Sequence, residues 1–180
     1  MVRQKKPEEI KILRQGGKIL AGILDEVCRE VKPGVSTQAL EEKAAELMKQ
    51  AGGRPAFKGL EMFNNVYFPS ILCVSINSEI VHGPAIPPRI LNEGDIVSID
   101  VGMEYPLDAR PDSGLPLNQY SDRKGYYTDM ARTVAVGEVS PEAARLMEIT
   151  RNALEAAIDQ VRAGHTLDDI GCAIQELAEN

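Results

Sequence analysis

The chain has 180 residues, 43% of them hydrophobic, with a net charge of −7 and a pI near 5.0. That length sustains one domain with a sizeable core, and the acidic balance excludes the Lys- and Arg-rich surface that nucleic-acid binding needs. No apolar run reaches the roughly 18–20 residues that span a bilayer, and "MVRQKKPEEIKIL" has no apolar signal core, so the sequence predicts a cytoplasmic protein without membrane contact.

From Pro7 to about Val31, the residues Ile10, Leu13, Gly17, Leu20, Leu24 and Val27 recur at steps of three and four, which predicts an amphipathic helix with Pro7, Glu8 and Glu9 in its first turn. "KPGVST" breaks it. Ser36 or Thr37 can cap a second helix that Gly52 and Gly53 stop near Ala51. The period then shortens to two: "SILCVSIN" (70–77), "DIVSIDVGM" (95–103) and "GYYTDMARTVAV" (125–136) read as strands. Between the last two, "PLDARPDSGLPLNQYSDR" (106–123) has the Pro, Gly, Asp and Ser content of an exposed loop, either a bland insertion or a lid or partner contact. Ser140-Pro141 opens a third helix running to about Val161, and Thr166 with Asp169 resembles a capping box opening a fourth. The organisation expected is α+β in one domain, 1–180: a helix pair at 7–51, an antiparallel sheet at 54–137 and a second helix pair at 141–180.

The second helix pair echoes the first. At an offset of 134, Pro7, Leu20 and Val27 meet Pro141, Leu154 and Val161; after four residues are dropped, Gly34, Ser36 and Leu40 meet Gly164, Thr166 and Ile170. Four residues are about one helical turn. A duplication is one reading, and chance agreement of two amphipathic hairpins is the other. If the repeat is real, the chain is expected to hold one and a half units, without the second sheet.

Cys28, Cys73 and Cys172 are odd in number and lack a CxxC spacing, so they read as reduced, small apolar residues. Strand alternation puts Asp100 on one face with Ser98 and Gly102, and Asp129 with Tyr127, Ala131 and Thr133. If these strands are neighbours the carboxylates lie side by side and need a proton, an arginine or a cation; hard oxygen donors suit a divalent ion. The alternative is that each sits at a strand end or pairs with Arg132 or Lys124. His82, in "EIVHGPAIPP", is projected by a Gly-Pro turn, where imidazole can bind a metal, hydrogen-bond a carbonyl or simply cap the turn. His165, in "RAGHTLDD", has Val35 as its repeat partner and reads as a turn residue.

Taken in order, "LCVSINSEIVHG", "NEGDIVSIDVG", "GYYTDMARTVAVG" and "LDDIGCAIQELAE" resemble the N-terminal part of the type I methionine aminopeptidases, over nearly the whole chain. The resemblance implies a pita-bread fold of two pseudo-symmetric halves and metal-dependent removal of initiator methionine from nascent proteins. It implies two divalent ions per complete site (Co, Mn, Fe or Zn), with Asp100 and Asp129 as ligands and Asp129 bridging. It gives His82 contact with the substrate amide and its tetrahedral intermediate, and places Phe68 and Cys73 in the methionine pocket, although "GLEMFNNVYFPS" departs from the family pattern. The implied partner is a peptide or nascent-protein N-terminus. The family's remaining ligands, one His and two Glu, and its general base lie beyond the matched motifs, so metal binding by this chain alone is expected to be weak or absent. A half-enzyme completed by a C-terminal half or a second copy, and a non-catalytic peptide- or partner-binding module, are the alternatives.

Overall fold

The structure is a computed structural model that describes residues 4–107 and 125–179. Most of the loop expected at 106–123, and Lys124, lie outside the described residues. The chain divides into two compact units, Met1–Gly137 and Glu138–Asn180.

In the first unit, helices α1 (Pro7–Arg29) and α2 (Thr37–Gln50) precede six strands: β1 (Arg54–Pro55), β2 (Glu61–Phe63), β3 (Val66–Tyr67), β4 (Leu72–Ile76), β5 (Ile96–Tyr105) and β6 (Tyr126–Ala135). Strand β5 is central. β4 and β1 pair antiparallel with one edge of it and β6 with the other, while β2 and β3 form a separate hairpin. The alternation in β5 sends Val97, Ile99, Val101 and Met103 into one core with Leu20, Leu24, Leu40 and Met48 of the helices. That leaves Ser98, Asp100 and Gly102 on the opposite face.

Local chemistry fixes the helix starts. Glu9 returns its Oε2 to the Lys6 N–H at 2.7 Å, closing a capping box behind Pro7, and Ser36 Oγ accepts the Ala39 N–H at 3.2 Å. The stripe of α1 differs in its first turns from the expected one: Ile10 is exposed, and Glu9 and Gly16 face inward rather than Gly17. The reason is polar. Glu9 is needed below the helix, where its Oε1 accepts from the Tyr126 hydroxyl at 3.0 Å, and Gly16 lies beside Thr128 and Tyr105.

The second unit pairs α3 (Pro141–Asp159) with α4 (Leu167–Glu179). Ser140 Oγ accepts from the Ala143 N–H at 3.2 Å, and Asp169 Oδ2 accepts from the Thr166 N–H at 2.6 Å, as the capping signals predict. Ala153 and Ala157 are buried, while Leu146, Leu154, Ile158, Val161 and Leu167 stay exposed. Among the described residues no helix is long and apolar enough to cross a membrane.

Candidate metal centre

The pairing register decides how the two aspartates meet. Asp100 stands opposite Cys73 on β4 and Ala131 on β6, whereas Asp129 stands opposite Gly102. The carboxylates therefore share a face on neighbouring strands but are diagonal, not directly opposed; diagonal partners on such a face have α-carbons about 7–8 Å apart. That spacing relaxes the repulsion a side-by-side pair would suffer and leaves room for something between them.

Gly102, between the acids, is what lets the pocket exist. A Cβ there would come within 2.6 Å of the Phe57 ring and 3.0 Å of Ala56, so only glycine admits that ring onto the sheet. The ring forms part of a cavity of about 360 Å³ whose lining combines Phe57, Leu60, Glu61, Met62 and Phe68 with Cys73, His82, Asp100 and Asp129. All five residues singled out in the sequence thus reach one pocket. Sequence reasoning missed Phe57, Leu60 and Met62. Leu60 and Met62 are carried by the β2–β3 hairpin, whose turn is Asn64-Asn65 with φ of 44° and 63°. An Asn-Asn pair between two short apolar runs is the signal that could have found it.

His82 occupies the loop after β4 with φ of 61°, in the left-handed region. The next residues hold that loop to the strand: the Val74 N–H donates to the Gly83 carbonyl at 2.6 Å, and Pro84 bridges to Cys73. His165, by contrast, is engaged within its own turn, its Nε2 accepting from Arg162 Nε at 3.0 Å. The cysteines are free, with Cys73 buried and Cys172 exposed.

Of the two cationic partners considered for the acids, Lys124 lies outside the described residues and Arg132 is engaged elsewhere. Arg132, three residues from Asp129 and so on the other face of β6, pairs with Asp25 of α1. Glu104, also on β5, shows what a satisfied acid looks like: it takes Arg54 at 2.8 Å and the Gly125 N–H at 2.7 Å. Among the described residues, buried Asp100 Oδ1 has no hydrogen-bond partner. Burial, then the neighbouring Asp129 charge, raises the Asp100 carboxyl above the usual range, with His82 pulling the other way; burial also raises Asp129. The Cys73 thiol, buried beside both acids, is pushed up to about 12. A carboxyl oxygen shielded from water, with no donor among the described residues, fits a cation when the group ionises, and carboxylates are hard donors suited to a divalent one. Among the described residues no three His, Cys, Asp or Glu side chains are grouped to hold an ion by themselves.

The chain belongs to metallopeptidase family M24, whose model matches residues 11–108 and 118–180. It is 40% identical over 172 residues to a methionine aminopeptidase of Aquifex aeolicus, covering 95% of this chain and 60% of that relative. The crystal structure of the Thermotoga maritima methionine aminopeptidase is similar with a TM-score of 0.81 at 34% identity, over 99% of this chain and 63% of that one. A Pyrococcus horikoshii prolidase, at 20% identity and a TM-score of 0.73 over 97% of this chain and 42% of that one, shares the fold. The fold is therefore the α+β pita-bread type that the motifs implied. The chain spans less than two thirds of the length of the Aquifex and Thermotoga relatives.

Proposed function

We propose that this chain provides the aspartate and substrate-pocket side of a methionine aminopeptidase site, acting on the N-terminus of peptides and nascent proteins. The observation that carries the reading is the unpartnered oxygen of Asp100, a residue that lines the same pocket as Asp129, His82 and an apolar wall. Asp100 and Asp129 would be among the ligands that hold divalent ions, two in a complete site. When bound, such ions supply Lewis-acid polarisation of a carbonyl and a water acidic enough to attack at neutral pH. Cobalt, manganese, iron and zinc all suit the site.

The chain's own side chains do the rest. Phe57, Leu60, Met62, Phe68 and Cys73 form a wall that receives an unbranched apolar side chain such as methionine. A thiol held near 12 stays protonated, so Cys73 fills space there and does not compete as a nucleophile. His82 stands at the pocket edge, where a ring N–H can donate to the scissile carbonyl and more strongly to the oxyanion that develops from it. In the half-enzyme form of this reading, further ligands come from a complementary C-terminal half or a second copy of the chain.

Cleavage of a Met-Ala-Ser peptide with added Mn or Co, by the chain alone and after addition of a complementary C-terminal half, tests this reading. Methionine release should depend on metal, and His82→Ala should lower kcat by roughly 10²-fold or more, as loss of an oxyanion donor does. Release that survives both His82→Ala and Asp129→Asn would show that another site performs it. Metal and peptide binding with no turnover in the complemented protein would favour the peptide-binding module instead.

A further inference from the structure

The loop from β4 to β5 carries a charge arrangement that the proposed chemistry does not use. Arg89 Nη1 donates to both oxygens of Glu79, at 2.6 and 2.7 Å, and its Nη2 donates to the carbonyls of Val74 at 2.5 Å and Pro84 at 3.0 Å. Glu79 is itself fixed, since its Oε2 accepts the Ile76 N–H at 2.8 Å. One guanidinium therefore ties Glu79 to Pro84 and both to strand β4. His82 lies inside the segment so closed.

What holds that segment is polar. Ile80 and Val81 are 87% and 63% exposed, so apolar packing does not order it. His82 keeps a φ of 61°, a conformation that a residue with a β-carbon retains only where its surroundings over-determine it. The further ties are polar as well, including the Gly83 N–H to Ser75 Oγ at 3.3 Å. The backbone of Arg89 is anchored independently of its side chain. The Thr37 N–H donates to the Arg89 carbonyl at 2.8 Å, and the Arg89 N–H donates to Thr37 Oγ1 at 3.0 Å. Removing the guanidinium thus frees the His82 segment without unpinning the loop's far end.

We propose that Arg89 is a positioning residue for His82, its side chain and Glu79 together fixing the imidazole at the pocket edge. The catalytic part of this inference rests on the reading of His82 given above. A planar fork is required because one group must serve a carboxylate and two carbonyls at once, and the compact ammonium of lysine does not span them.

The test compares wild type with Arg89→Met and Arg89→Lys by NMR. In wild type the amides of 79–83 should be as ordered as those of β4, with one sharp His82 ring signal. In Arg89→Met the order should fall in 79–83 alone and the His82 signal should move and broaden, while Leu72, Val97 and Ile99 stay unchanged. Arg89→Lys should restore it only in part. In the methionine-release assay kcat should drop roughly ten- to a hundred-fold with KM within about twofold, the mark of a misplaced group. A folded Arg89→Met chain with unaltered order and an unaltered His82 signal would overturn the proposal. Should that variant not fold, Glu79→Gln gives the same readout, and unaltered loop order there overturns it equally. Because the NMR measurement needs no turnover, it decides the positioning role even if His82→Ala leaves methionine release intact, an outcome that would defeat only the catalytic reading.

Discussion

A shielded carboxylate oxygen with no donor weakens the fold that contains it, and Asp100 Oδ1 is in that position. The Asp100 carboxyl is raised in the fold, so its protonated form is favoured there: the contribution to stability is complete below the ordinary aspartate value near 4 and is lost as pH rises through the raised one. Metal-free Asp100→Asn should therefore be more stable than wild type at neutral pH. The gain is set at about 1 kcal/mol, the low end for an unsatisfied group, because Asp100 is only half-buried. Urea unfolding at neutral pH and near pH 3.5 checks this; the difference should vanish at the acid end, and added Mn should favour wild type instead. Cys73 gives a second prediction. With its thiol near 12, the thiolate fraction at pH 8 is about one in 10⁴, so iodoacetamide should label exposed Cys172 and spare Cys73 until the chain unfolds. Mass spectrometry of the labelled peptides reads the result. At this scale the sequence was informative about the acids, because parity in an apolar strand places a carboxylate on one face. It was silent on Phe57, which reaches the acids only through the space Gly102 leaves.

Helix α2 and strand β4 are joined by one buried acid that no periodicity marks. Glu41 accepts the Ile71 N–H at 2.6 Å and the Leu72 N–H at 2.9 Å, so its carboxylate starts the strand that carries Cys73. Glu41→Ala removes two charge-assisted bonds and leaves two buried donors without partners; it should cost about 3 kcal/mol, measured by urea unfolding. A loss under 0.5 kcal/mol, the range of ordinary surface substitutions, would mean that water replaces the carboxylate. The strands and helix caps were legible from their chemistry. The polar inner turn of α1 was not, since a stripe of apolar residues cannot announce that Glu9 is wanted by Tyr126. Nor was the β2–β3 hairpin, whose strands are three and two residues long, too short for alternation to register.

At the scale of the whole molecule the helix bounds follow the internal echo in part: Val27 lies inside α1, whereas its match Val161 lies beyond the end of α3. α1 has 23 residues and α3 has 19, a difference equal to the four dropped in the alignment, and α2 and α4 begin at Thr37 and Leu167, at the second offset of 130. Gly34 and Gly164, also a matched pair, both take a left-handed φ, 87° and 93°. The helix pairs differ in covering: α1 and α2 bury their stripes, whereas Leu154, Ile158 and Val161 of the second pair are exposed. Apolar surface of that kind favours association in water, so the chain is expected to self-associate at micromolar concentrations. Light scattering should show mass rising with concentration, and Leu154→Glu/Ile158→Glu should abolish the rise; a constant monomer mass would refute the expectation.

The central claim is that Asp100 and Asp129 belong to one divalent-metal site. Calorimetric titration of the chain with Mn tests it most directly, because it requires no turnover and no knowledge of the substrate. A site with an incomplete ligand set should bind weakly, and Asp129→Asn should remove the binding. The double variant Asp100→Asn/Asp129→Asn binding Mn as well as wild type does would contradict the account.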